Sequence, residues 1–204
     1  MTNYTLPTVT GFQSISIRQA QRVRLTDSPF TFVQQVLSYA GQRWEADITL
    51  PPMKHTAARE WIAFLSQLHG PTHTFTMGDP LGATAAGEAG GTPLVAGASQ
   101  TGATLNVDGC TVSQTDWLKA GDYIQLGTGA DARLHMVTAD VDTDGTGAAT
   151  LTLWPDITSA PLDNDSVIVS NTVGAWRLAS STIGWDANEA SVYGLTFSAV
   201  SVVT

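Results

Sequence analysis

The clearest pattern of apolar and polar positions lies between residues 42 and 80, where three elements follow one another without a break. The run Trp44-Glu45-Ala46-Asp47-Ile48-Thr49-Leu50 alternates, so Trp44, Ala46, Ile48 and Leu50 share one face of a strand whose other side is wet. Pro51-Pro52 stops that strand, because proline cannot donate to the ladder. Thr56 then stands as N-cap of a helix over about 56–69. Ala58, Trp61, Ile62, Leu65 and Leu68 recur at three- and four-residue spacing on one stripe, while Arg59, Glu60, Ser66 and Gln67 cover the other side. Gly70-Pro71 terminates the helix, and residues 72–77 read as a short strand with Phe75 and Met77 on one face and Thr74 and Thr76 on the other. The three elements pack as a unit, with Trp61 and Leu65 against Trp44 and Ile48.

Upstream, residues up to Gly11 form a polar arm expected to order only against something else. Ile15, Ile17, Val23 and Leu25 keep odd parity along a strand or hairpin. Phe30-Thr31-Phe32 starts a further strand running to Tyr39, with Ala40-Gly41 as a tight turn into the Trp44 strand. Downstream the character changes. Residues 82–91 are small and glycine-rich, the composition of a flexible linker. Short β signals then recur at 104–107, 122–126, 134–141, 149–154 and 166–169, which predicts a small barrel or sandwich over 92–172. Ala175-Trp176-Arg177-Leu178 follows, and the long alternating run 192–203 resembles a sheet strand of the first part, so residues 173–204 return to the domain begun by residues 1–81. The expected fold is mainly β, sandwich- or barrel-like, with one helix packed on the sheet and a small inserted β domain. Its expected core includes Trp44, Ile48, Trp61, Leu65, Leu68, Phe75, Trp176 and Phe197.

Composition supports this class. Of 204 residues only 13% are charged, and 19 glycines and nine prolines favour strands and turns over long helices. A formal charge of -9 argues against general affinity for nucleic acid phosphate. No window approaches the ~18 consecutive apolar residues of a membrane helix, and Met1-Thr2-Asn3-Tyr4 does not open a signal peptide, so a cytoplasmic protein is expected. The charge is uneven. The first sixty residues hold six bases and four acids, whereas the remainder holds three bases and fourteen acids.

Candidate chemistry is sparse. Asp140-Val141-Asp142-Thr143-Asp144-Gly145 matches half of a calcium loop, but the twelfth position is Leu151 where a bidentate glutamate is required, so a solvated hairpin turn is expected. His69 and His73 have metal-ligand spacing, which Gly70-Pro71 between them spoils. His55 and His135 stand isolated, and the single cysteine, Cys110, reads as a buried or incidental thiol. There is no G-x-S-x-G elbow and no GK[ST] phosphate loop. Neither a catalytic residue nor a cofactor or metal site is nominated. Of six tryptophans, Trp117 and Trp154 in the insertion are the candidates for stacking on a sugar ring, while Trp44, Trp61, Trp176 and Trp185 fit core or interface positions.

The layout resembles the distal tail protein family of long-tailed, siphovirus-type bacteriophages and related tail-like particles. The residues that carry the resemblance are Trp61-Ile62-Ala63-Phe64-Leu65-Ser66-Gln67-Leu68-His69-Gly70 with Phe75-Thr76-Met77-Gly78-Asp79-Pro80, and the insertion motifs Leu118-Lys119-Ala120-Gly121-Asp122-Tyr123-Ile124-Gln125-Leu126-Gly127 and Leu151-Thr152-Leu153-Trp154-Pro155. The closing segments Arg177-Leu178 and Tyr193-Gly194-Leu195-Thr196-Phe197 complete it. The resemblance implies a structural protein of the virion tail tip or baseplate, assembled in the host cytoplasm as a homo-hexameric ring. It implies tail tube and hub or tip proteins as partners, and a lumen through which DNA passes without specific binding. The rival expectation is a host-surface or carbohydrate-binding module carried by the inserted domain. A cell-envelope hydrolase has only the β-rich frame in its favour.

Overall fold

In the computed structural model, which describes residues 2–187 and 192–203, fourteen strands and one α-helix follow in order. They are β1 (Asn3–Tyr4), β2 (Ser14–Asp27), β3 (Gln34–Thr49), β4 (Met53–Lys54), α1 (His55–Gln67), β5 (Thr74–Met77), β6 (Gly91–Val95), β7 (Gly102–Cys110), β8 (Tyr123–Leu126), β9 (Arg133–Val137), β10 (Ala149–Ile157), β11 (Val167–Ile168), β12 (Gly174–Leu178), β13 (Trp185–Ala187) and β14 (Val192–Ser201). The fold is mainly β with one helix, as the alternation predicts.

Among the described residues the strands form two sheets. The first runs β1-β5-β12-β14-β3-β2, with β4 and β13 also pairing to β14. The second runs β11-β8-β9-β10-β7-β6 and takes all its strands from between β5 and β12. It curls on itself. Leu94 bridges Ser166, the Val95 N–H donates to the Asp165 carbonyl at 2.9 Å, and the Asn164 N–H donates to the Val95 carbonyl at 2.9 Å. β6 and β11, the nominal edges, therefore meet and nearly close a barrel.

The first core sits between the open sheet and α1. Trp44, Ala46, Ile48 and Leu50 are buried as a set, which is the face the alternation assigns. From α1 come Ala58, Trp61, Phe64 and Leu65, with Leu68 just beyond, and the sheet adds Phe75 and Trp176. Phe64 takes the place expected of Ile62, which is half-buried, and Phe197 is likewise half-buried against this core. Trp61 meets Phe12, Phe64 and Phe197 at ring separations of 6.2, 5.9 and 6.2 Å, whereas Trp44 turns its ring to the barrel. Burying each such large side chain stabilises the fold by about 1.5–3 kcal/mol.

Five expectations need correction. The helix starts at His55, not after a Thr56 cap: β4 holds Met53 and Lys54 extended against β14, Lys54 is the N-cap, and no side chain caps the helix. Ala40-Gly41 is not a turn, whereas Phe30-Thr31-Phe32, expected to start a strand, lies in one, and the strand begins only at Gln34. β3 runs through Ala40-Gly41, and Tyr39, Ala40 and Gly41 bulge opposite Arg22, between the pairs Gln21–Gln42 and Val23–Ser38. The N-terminal arm orders on its own chain, because β1 pairs parallel with β5, Tyr4, Leu6 and Phe12 pack on the core, and the Trp61 indole N–H donates to Thr10 Oγ1 at 3.0 Å. The glycine-rich stretch after Pro80 lies along the barrel instead of swinging free. Asp122 accepts the Ala86 and Gly87 N–H groups at 2.6 and 3.0 Å, and a Cβ at Gly87 would collide with the Trp117 carbonyl. Smallness there serves close approach.

Candidate assembly surface

β2 and β3 are far longer than the core they cover. Their first pairs, Ser14–Thr49 through Gln21–Gln42, lie over the core, and after the bulge five more continue from Val23–Ser38 to Asp27–Gln34. The ribbon is closed by a turn in which Ser28 exchanges backbone hydrogen bonds with Phe32 and Val33 at 2.9 and 3.0 Å. At ~3.3 Å per residue it stands roughly 20 Å beyond the bulge.

This ribbon is apolar and wet. Val23, Leu25, Val36, Leu37 and Tyr39 are all exposed, and at the tip Phe30 and Phe32 are 93% and 78% exposed, with Val33 beside them. Leu25 lies opposite Val36 and shares a face with Val23, while Arg24 lies opposite Leu37 on the reverse face. A two-stranded ribbon is at best marginally stable alone in water, and contiguous exposed apolar surface of this kind marks an interaction site. β2 is also the outer strand of the open sheet, so one side of its backbone has no ladder partner among the described residues.

The base of the ribbon is held from both sides. Arg18 pairs with Asp47 at 2.7 Å and Arg43 with Glu45 at 2.6 Å. The Ser198 hydroxyl, donating to Asp47, and the Arg18 guanidinium hold that carboxyl below its usual range. Across the junction, Gln42 Oε1 accepts the Asp156 N–H at 2.7 Å, and the Trp44 indole N–H donates to the Leu134 carbonyl at 2.9 Å. Tyr123, Met136 and Trp154 form one row across β8, β9 and β10, and Trp154 stands edge-on to Trp44 at 4.5 Å. Beside the bulge, Gln21, Arg22, Gly41, Arg43 and Glu45 line an open groove of about 510 Å³.

The two tryptophans nominated for ligand contact are otherwise employed. Trp117 is fully buried in the barrel core and donates its indole N–H to the Gly90 carbonyl at 2.8 Å, so it presents no face to a sugar. Trp154 is half-buried at the junction. The signal for this was present in the sequence: Leu151 and Leu153 point into the barrel, so the parity of β10 puts Trp154 outside, where a large apolar ring needs a second surface. Trp185 is 48% exposed on β13, and Trp176 is buried with its N–H on the Met77 carbonyl at 2.7 Å.

Among the described residues no other arrangement gathers chemical groups. Asp140 and Asp142 accept the N–H groups of Ala120 and Asp116 and so tie back the preceding segment, while Asp144 accepts that of Ala148 within its own turn. Among the described residues no three His, Cys, Asp or Glu side chains converge as metal ligands, and no helix is long and apolar enough to cross a membrane. His69 and His73 have ring centres 5.8 Å apart, and His55 contacts the Tyr193 hydroxyl at 3.0 Å. His135 is buried in the barrel wall. It donates from Nδ1 to the Pro155 carbonyl at 2.7 Å and lines a 40 Å³ cavity at the junction; burial holds its pKa below the usual imidazole value. Cys110 is buried as a thiol, with its pKa pushed up to about 11 by burial and by the Asp108 carboxylate.

Neither the protein-family models nor the curated proteins contain a match to this chain.

Proposed function

We propose that this chain is a structural protomer of a phage tail: a distal tail protein whose copies form a ring, six by the resemblance, that joins the tail tube to the hub or tip around the DNA channel. The observation that carries the reading is the β2–β3 ribbon, an apolar two-stranded projection beside an unpaired sheet edge. A free monomer gains nothing from displaying Phe30, Phe32, Leu25 and Val36 to water, whereas a ring buries such a surface once per copy and leaves none over. The work is then done by complementary surfaces without turnover, and the channel passes DNA without specific contact.

The test is the oligomeric state of the full chain. Sedimentation velocity and electron microscopy are expected to find closed rings for the wild type and monomers for Phe30→Ser/Phe32→Ser. A wild type that stays monomeric at high concentration, alone and with tail tube or hub protein, overturns the reading.

A further inference from the structure

The molecule is divided in charge as sharply as in fold. Residues 18–43 carry Arg18, Arg22, Arg24 and Arg43 against Asp27, a balance of +3, while residues 91–168 carry ten aspartates against Lys119 and Arg133, a balance of -8. Within one copy these opposites do not pair. Arg18 and Arg43 are matched by acids of their own sheet, and the junction is neutral on the ribbon side, through Gln42 and Trp44. Arg22 and Arg24 have no ion pair among the described residues. They stand two apart on β2 and so on one face, which Leu37 shares from across the ribbon.

We propose that the ribbon of one copy docks on the acidic barrel of a second copy, with Arg22 and Arg24 reaching its carboxylates. This rests on the ring reading and adds to it which two patches meet. Ribbon against ribbon would bring Arg22 and Arg24 toward their own kind, and barrel against barrel would oppose two modules each of net charge -8. Ribbon on barrel is the pairing in which the long-range field attracts. The nearly closed barrel offers no bare edge for a ladder, so side chains make the contact: guanidinium to carboxylate, with Leu37 beside them. Two different patches in contact are a head-to-tail arrangement, the kind that closes into rings.

The experiment uses the full chain. The ring's dissociation constant is expected to rise about tenfold or more between ~0.05 and ~0.5 M salt, where the screening length shrinks several-fold. Arg22→Glu/Arg24→Glu is expected to abolish the ring while melting like the wild type, since both side chains are exposed. In Arg24→Lys, which keeps the charge and adds an amine, carbodiimide is expected to join position 24 to barrel aspartates of another copy. Rings that form but are indifferent to salt, or crosslinks that fall only on Asp27, Glu45 or Asp47, overturn the docking mode and leave the ring reading standing. A wild type that never associates overturns both.

Discussion

The barrel and the open sheet are written in the same alternating code, yet one closes and the other stops at a bare strand. In the barrel, β6 and β11 find each other, every inward position from Val95 to Val167 is filled, and Trp117 plugs the centre. In the open sheet, β14 lies in the middle with partners on both sides, and β2 at the margin has β3 alone. Closure uses up the polar backbone and the apolar surface together. An open margin keeps both in reserve, and the ribbon beyond the bulge is the part of the molecule where that reserve is largest.

The comparison is broken most severely at the junction, where the two parts depend on each other. Trp44→Ala removes the ring that Trp154 stands against and the donor to the Leu134 carbonyl. It is expected to cost about 3–5 kcal/mol and to split denaturant unfolding into separate sheet and barrel transitions. One transition of unchanged midpoint would mean that the two parts are not coupled there. Gly78→Ala acts on the same connection from the other strand, since its Cβ would collide with the Thr172 carbonyl. About 1–3 kcal/mol is expected, read as a lower midpoint at unchanged slope.

A smaller, pH-dependent effect tests the barrel alone. His135 is buried with a lowered pKa, so the unfolded chain takes up its proton at higher pH than the folded one. Stability is then present above the unfolded value of ~6.5 and is lost as pH falls through it toward the folded value. His135→Gln is expected to flatten that window in thermal melts between about pH 7 and 5, leaving the separate loss at lower pH where Asp47, with its depressed pKa, gains a proton. The smallest effect on stability is expected in the ribbon. Leu25→Ser or Val36→Ser should change unfolding by no more than about 0.5 kcal/mol, because neither side chain is buried in one copy, while weakening self-association. A large loss of monomer stability would show that the ribbon packs on its own chain.

The alternating face from Trp44 to Leu50 was legible because one side is wet, and α1 because its stripe is continuous. The ribbon was not. Ala40-Gly41 carries the same local mark in a turn as in a bulge, and only the partner strand, with Gly41 close against Arg22, decides between them. The true turn had its own mark in Ser28-Pro29, whose serine hydroxyl accepts the N–H groups of Phe30 and Thr31, both at 3.4 Å. Trp117 carried no local signal, because a lone aromatic in a turn-rich stretch looks the same whether it plugs a barrel or faces a ligand. The glycines before β6 look like slack for a related reason: composition cannot distinguish freedom from lack of room.

Gly174 is the register partner of Met77, so the chain leaves the open sheet and re-enters it on adjoining rungs. A short hairpin loop would span that gap, and everything from Gly78 to Val173 is, for the ladder, a graft. Lineages that carry this sheet are thus at liberty to exchange the graft for another module, on one condition. Whatever replaces it must offer Trp44 a surface to lie against.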